Sequence, residues 1–208
     1  MRFFRTPSVL PLFYPSLLWR IKTPEKAVYL TFDDGPVPGP TDFVLDTLKS
    51  FNATATFFCI GNNVRKHGTE FQKVVDAGHS IGNHTFNHFN GWTVPSPSYL
   101  DNVQLCQHEL LMHGSANTRN LFRPPFGRIR TSQIKMLKDY QIVMWDVLTF
   151  DYDRSFSSER SLAGSLKAVR PGSIVVFHDS LKAEKNLRFV LPRFIEELAS
   201  RGYSFKQL

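Results

Sequence analysis

An α/β fold in one domain, its parallel sheet closed or nearly closed into a barrel of about seven strands, is what the 208-residue sequence predicts. Three observations carry this expectation. Short apolar runs alternate with amphipathic stretches, the pattern of strands joined by crossover helices. About seven such units fit in one domain-sized chain, which suits a barrel. No internal repeat, low-complexity tract or linker divides them. An open doubly wound sheet is the alternative arrangement of the same units.

The first 26 residues precede the barrel body, 27–208. They join early positive charge to an apolar middle, but Pro7, Pro11 and Pro15 interrupt the apolar stretch and no small-residue cleavage site follows. The expectation is therefore an uncleaved arm packed on the barrel through Leu12, Phe13, Leu17, Leu18 and Trp19, in a protein that is cytoplasmic or peripheral at the inner face of a membrane. A peripheral membrane contact is the second reading of the arm, because Arg2, Arg5, Arg20 and Lys22 flank its apolar residues.

The body then reads in order. "AVYLTF" (27–32) is the first strand, followed by a Gly-Pro turn and a helix over about 40–51. "TATFFCIG" (54–61) is the second, and a helix over 67–77 follows, with Phe71, Val74 and Val75 at helical spacing and Gly78 as its stop. "HSIGNH" (79–84) leads to a helix over 97–114, "NLFRPP" (120–125) to one over 131–139, and "QIVMWDV" (141–147) to one over 158–169. "SIVVFH" (173–178) precedes a last helix, 187–201, which Gly202 ends before "YSFKQL" (203–208).

Composition excludes several classes. No apolar stretch is long enough to span a bilayer. The formal charge is +7, but no run of Lys and Arg and no nucleic-acid motif accompanies it, so no nucleic-acid partner is expected. Cys59 and Cys106 lack metal-type spacing and are expected as thiols, Cys59 in a strand and Cys106 in a helix. Oligomeric state is not encoded in any visible pattern.

In a parallel barrel the chemistry collects at the carboxyl ends of the strands. Those ends carry Asp33 and Asp34; Gly61 and Asn62; Asn83 and His84; Arg123 to Gly127; Asp146 onward to Asp151; and His178 and Asp179. Asp33 and Asp34 alone would suit a surface turn, but a turn does not explain that convergence. "HTFNH" sets His84 and His88 four apart, which on a helical turn aims both imidazoles the same way. With Asp34 they make two histidines and a carboxylate, a set that leaves positions open for water on a metal. Asp33 is then free to act as a base. Phe86 and Trp92 are read either as a sugar groove or as packing. His79 is read as a hydrogen-bonded structural histidine, and Asp179 as pointing away from the site.

The motifs "TFDDGP" (31–36), "HTFNH" (84–88), "RPPFG" (123–127), "WDVLTFDY" (145–152) and "VVFHDS" (175–180) occur in an order that resembles the polysaccharide deacetylase family, carbohydrate esterases with a NodB-type catalytic domain. The resemblance covers about residues 27–207. It implies a distorted (β/α) TIM-like barrel and hydrolytic removal of N-acetyl, or O-acetyl, groups from a glycan, most often one containing N-acetylglucosamine. It implies one divalent metal, Zn²⁺ first, with Co²⁺, Ni²⁺ or Mn²⁺ as alternatives, on Asp34, His84 and His88. Asp33 then resembles the general base and Arg123 the arginine that holds it. His178 resembles the general acid and Asp151 the carboxylate that tunes it. The Phe126 N–H resembles an oxyanion donor, and Pro125, Phe126, Tyr152 and Val176 the acetyl pocket. Leu148 and Tyr152 depart from the family's usual aspartate and tryptophan, a change read as altered pocket lining or subsite shape that weakens the transfer of substrate specificity. A lipid-linked or small amidated sugar, and a catalytically silent sugar- or metal-binding module, remain as other readings.

Overall fold

The structure, a computed structural model, describes residues 3–114 and 120–208; Arg2 lies outside them. Its centre is strand β1, Ala27–Asp33, of which every residue except Tyr29 is buried. A strand covered on both faces has no polar side to show, which is why this run reads as continuously apolar. Strand β2, Thr56–Cys59, pairs with one edge of β1, and β3 (Ser80–Asn83), β4 (Leu121–Phe122) and β5 (Gln141–Ile142) follow outward. On the other edge lie β7 (Ile174–His178) and then β6 (Val147–Leu148). All these pairs are parallel, and the seven strands curl into an incomplete barrel.

Two strands differ from expectation. The run 141–147 is not one strand: β5 ends at Ile142 and β6 begins at Val147, because the intervening backbone turns from β4 to β7, with Val143 N–H donating to Phe122 and Asp146 N–H to Ile174. The last run forms β8 (Ser204–Lys206), but it shares an edge of β1 with β2, taking Ala27–Tyr29 while β2 takes Thr31–Asp33.

The crossover helices are α2 (Pro40–Ser50), α3 (Gly61–Lys66), α4 (Gly68–Asp76), α5 (Ser96–Met112), α6 (Thr131–Met136), α7 (Ser158–Ala168) and α8 (Glu184–Ser200); α1 (Val9–Phe13) belongs to the arm. Helix α8 shows why they form. Leu187, Val190, Leu191, Phe194, Ile195 and Leu198 recur at helical spacing, and all are fully buried. Against them the Phe32, Phe57 and Phe177 rings stack across β2, β1 and β7 at centroid distances of 5.1 and 5.8 Å. Helix α3 escapes prediction because six residues with Val64 as their only buried large apolar side chain have no period to read.

The arm lies along the gap between β5 and β6. Leu18 pairs with Val143 and Arg5 with Val147. Thr6 N–H donates to Asp146, Leu148 N–H to Phe4, Leu18 N–H to Ile142 and Met144 N–H to Leu18. Leu17 is buried and Leu18 and Trp19 are half-buried, but Leu12 and Phe13 are 79% and 74% exposed, contrary to the expected packing. The cause is local: the backbone is tied at Phe4–Thr6 and at Leu18, and the proline-rich segment between loops away from the barrel.

Candidate active site

Residues 31 to 34 separate the two neighbouring carboxylates by simple geometry. Side chains alternate along β1, so Thr31 and Asp33 share the interior face. Arg123, from the end of β4, meets both: its Nη1 donates to Thr31 Oγ1 at 2.7 Å and to Asp33 Oδ1 at 2.6 Å. The guanidinium is itself fixed, donating to the carbonyls of Val143 and Met144 and lying 4.1 Å over the Phe58 ring. Arg123 is fully buried and Asp33 nearly so. A pair this buried is kept by its hydrogen bonds, since neither charge could stand there alone.

Asp34 lies one residue past the strand, at φ 81°, and turns the other way. Its carboxylate meets His88 Nε2 at 3.3 Å and His84 Nε2 at 3.7 Å. Burial works against the ionised Asp34, but His88, His178 and His84 outweigh it and hold its pKa below the ordinary carboxylate range. The two histidines do not lie on a helical turn. Residues 84–88 form an irregular loop with Thr85 at φ 63° and His88 at φ 55°. Its shape comes from buried amides: Asn83 Oδ1 accepts from Thr85 N–H, and Asn102 Oδ1, reaching over from α5, accepts from Phe86 and Asn87.

The donor set fits a metal ion. His84 Nδ1 lies 2.8 Å from the Arg123 carbonyl, which can only accept, so Nδ1 carries the proton and Nε2 presents its lone pair. Burial pushes the His84 pKa down to about 4, leaving the ring neutral at ordinary pH. Asp34 Oδ1 and His84 Nε2 therefore face one another with no proton between them. Ligand atoms of Asp34, His84 and His88 all lie within 4.8 Å of one another. Tetrahedral ligands at about 2.1 Å from zinc sit roughly 3.4 Å apart, close to the 3.3 and 3.7 Å that separate Asp34 Oδ1 from the two imidazoles.

On the far side stands His178, at the end of β7. Asp151 holds it twice, Oδ2 accepting its backbone N–H and Oδ1 its ring Nδ1, at 2.7 and 2.8 Å. Burial works to lower the His178 pKa, but the carboxylates of Asp151, Asp34 and Asp33 outweigh it, and the value is pushed up to about 9. Asp33, Asp34, His88 and His178 open onto one cavity of about 610 Å³. Phe126, Tyr152 and Val176 line it; Pro125 is buried and does not. Phe126 takes φ 60°, and its ring is 4.6 Å from that of His88. Phe86 is core, whereas Trp92 stands exposed beside the mouth with Arg128 5.1 Å over its ring.

The cavity has further neighbours. Trp145, Leu148, Arg128 and Lys182 also line the cavity. Asp179 does point away, and it braces the chain there. Its Oδ1 accepts the Gly35 N–H at 3.0 Å and its Oδ2 the Thr41 hydroxyl at 2.7 Å, fixing the turn that carries Asp34. Asp146 pairs with Arg170 and Ser173 away from the cavity. His79 Nδ1 is buried with no hydrogen-bond partner among the described residues, contrary to expectation; its ring rests on Phe57.

Comparison with known proteins places this geometry in context. The polysaccharide deacetylase family profile matches residues 20–145. A peptidoglycan-N-acetylglucosamine deacetylase of Bacillus cereus is 33% identical over 190 residues, covering 90% of this chain and 88% of the relative. The peptidoglycan-N-acetylmuramic acid deacetylase PdaA of Bacillus subtilis is 31% identical, covering 89% of this chain and 71% of that protein. The crystal structure of the Bc1960 peptidoglycan N-acetylglucosamine deacetylase superimposes with a TM-score of 0.89 at 29% identity, over 98% of this chain and 95% of that one.

Proposed function

The chain belongs to the polysaccharide deacetylase family, and from that footing we propose that it removes the N-acetyl group from amino sugars of a glycan, N-acetylglucosamine of peptidoglycan or chitin type first among them. It is a carbohydrate deacetylase, a hydrolase of carbon–nitrogen bonds in linear amides. The observation that carries the finer reading is the convergence of two preset pairs and a triad on one cavity: Asp33 with Arg123, His178 with Asp151, and Asp34 with two histidines.

Asp34, His84 and His88 would hold one divalent cation, Zn²⁺ or a similar ion, which supplies a Lewis acid for the amide carbonyl and lowers the pKa of water. Everything else falls to the chain. Asp33 Oδ1 is engaged by Arg123, so its other oxygen takes the proton of the attacking water. The fixed guanidinium keeps that carboxylate from swinging toward the cation. The Phe126 N–H supports the oxygen that becomes negative in the tetrahedral intermediate, a contribution typically worth about 3 kcal/mol. His178, protonated at neutral pH and turned by Asp151 so that Nε2 serves the cavity, gives its proton to the leaving nitrogen, which cannot depart as an anion. Tyr152, Val176, Leu148 and Trp145 wall the space open to the acetyl methyl.

The test is acetate release from chitooligosaccharides and from peptidoglycan fragments, with metal content measured on the same samples. Chelation should stop release and zinc should restore it. Asp34→Asn should lose the ion, whereas Asp33→Asn should keep it and lose at least about 10²-fold in kcat. Near-normal kcat in Asp33→Asn, or no acetate from any acetylated glycan, would overturn the assignment.

A further inference from the structure

The arm that seals the barrel also carries an apolar surface that none of the described residues covers. Phe3, Val9, Leu10, Leu12, Phe13 and Tyr14 are all exposed, and helix α1 buries none of its five residues. Five residues that include a proline do not hold a helix by propensity, and an amphipathic helix needs a face to bury. The segment is not a loose tail, because backbone bonds anchor it on both sides, at Phe4–Thr6 and at Leu18. A fixed base thus presents an apolar tip to the surroundings.

Charge indicates what meets it. Residues 3–24 contain Arg5, Arg20 and Lys22 and no acidic residue. Beside α1 runs a groove of about 630 Å³ with Leu12, Leu17 and Trp19 in its wall and Arg20, Lys22 and Arg170 in its lining. Its one carboxylate, Asp146, is already taken by Arg170 at 2.7 Å, and Lys22 forms no ion pair among the described residues. A second copy of this +7 chain would set these cations against like charge. An anionic bilayer supplies what both halves lack: an apolar interface for the tip, and phosphates for Arg20 and Lys22, which no carboxylate pairs among the described residues.

We propose that the arm docks this protein on the surface of an anionic lipid bilayer, with Leu12 and Phe13 entering the interface. The proposal stands on the arm alone and does not depend on the reaction.

Co-sedimentation of the full chain with vesicles tests it, using equal parts phosphatidylglycerol and phosphatidylcholine against phosphatidylcholine alone. The double variant Leu12→Ser, Phe13→Ser alters only exposed side chains, so its thermal unfolding and its activity on soluble substrate should match the parent. Partition of the parent into the mixed vesicles should exceed that of the variant by about tenfold or more and should fall steeply in salt. Equal partition of parent and variant, equal binding to both vesicle types, or no binding to either overturns the proposal. So does a dimer of the parent, seen by light scattering without lipid, that the double substitution dissociates; that result assigns the surface to a second copy.

Discussion

Asp33 and Asp34 are one peptide bond apart, yet they meet opposite surroundings: a guanidinium on one side, two imidazoles on the other. The difference is made by a single backbone angle, the positive φ of Asp34, which ends the strand's alternation where it is useful. His178 shows the same economy. Its acid form persists to about pH 9 because Asp151 and the nearby carboxylates outweigh burial. Its loss of a proton should therefore set the alkaline limb of kcat/KM. In Asp151→Asn the opposing burial gains ground, and the limb should move to lower pH by about one unit or more. Asp34's share of the elevation vanishes when that carboxylate holds a cation, so both profiles belong on metal-loaded protein. An alkaline limb that stays in place in Asp151→Asn would remove His178 from the role of acid.

Among the elements, what the sequence disclosed and what it hid have separate physical causes. Strand ends were legible because an apolar run must stop where an ionisable side chain reaches solvent or a partner; those stops named Asp33, Asp34, His84 and His178, whereas Arg123 and Asp151 were singled out only by the motifs they belong to. The path of 84–88 was not, since a spacing of four says nothing about the sign of φ, and the loop's shape is dictated by Asn102, sixteen residues past Phe86. The splitting of 141–147 was hidden because its hydrogen bonds go to the arm and to other strands. Lys182 was silent because lining a cavity demands no pattern along the chain. Asp179 was legible only as a neighbour of His178, while what it does depends on Gly35. A Cβ at Gly35 would lie 1.9 Å from Asp179 Oδ2. Gly35→Ala should therefore expel that carboxylate, break its bonds to Gly35 and Thr41, and cost about 2 to 4 kcal/mol in thermal unfolding, with weakened metal retention. Unfolding and metal content equal to the parent's would show that Asp179 is not the brace of this turn.

Over the whole molecule the arm behaves as two things at once. Its ends are structural. Phe4 meets Phe150 and Phe156 edge-on at 5.2 and 5.8 Å, and α7 admits its ring only because residue 164 is glycine, where a Cβ would come within 2.3 Å. Phe4→Ala should cost about 2 kcal/mol in urea unfolding, less than a fully buried ring because Phe4 is half-buried. The exposed substitutions at Leu12 and Phe13 should cost nothing in the same assay, and a Phe4→Ala variant as stable as the parent would detach the arm from the fold. The stitching along the gap also has a consequence in time. The arm is translated ahead of every strand it joins: the Ala168 carbonyl that receives Arg5 is made 163 residues later. Until 141–147 and 168–172 emerge, its Phe, Leu and Trp side chains wait on the ribosome without their partners, and contacts of such sequence separation form slowly. The barrel is thus closed by residues made before any of the strands they join.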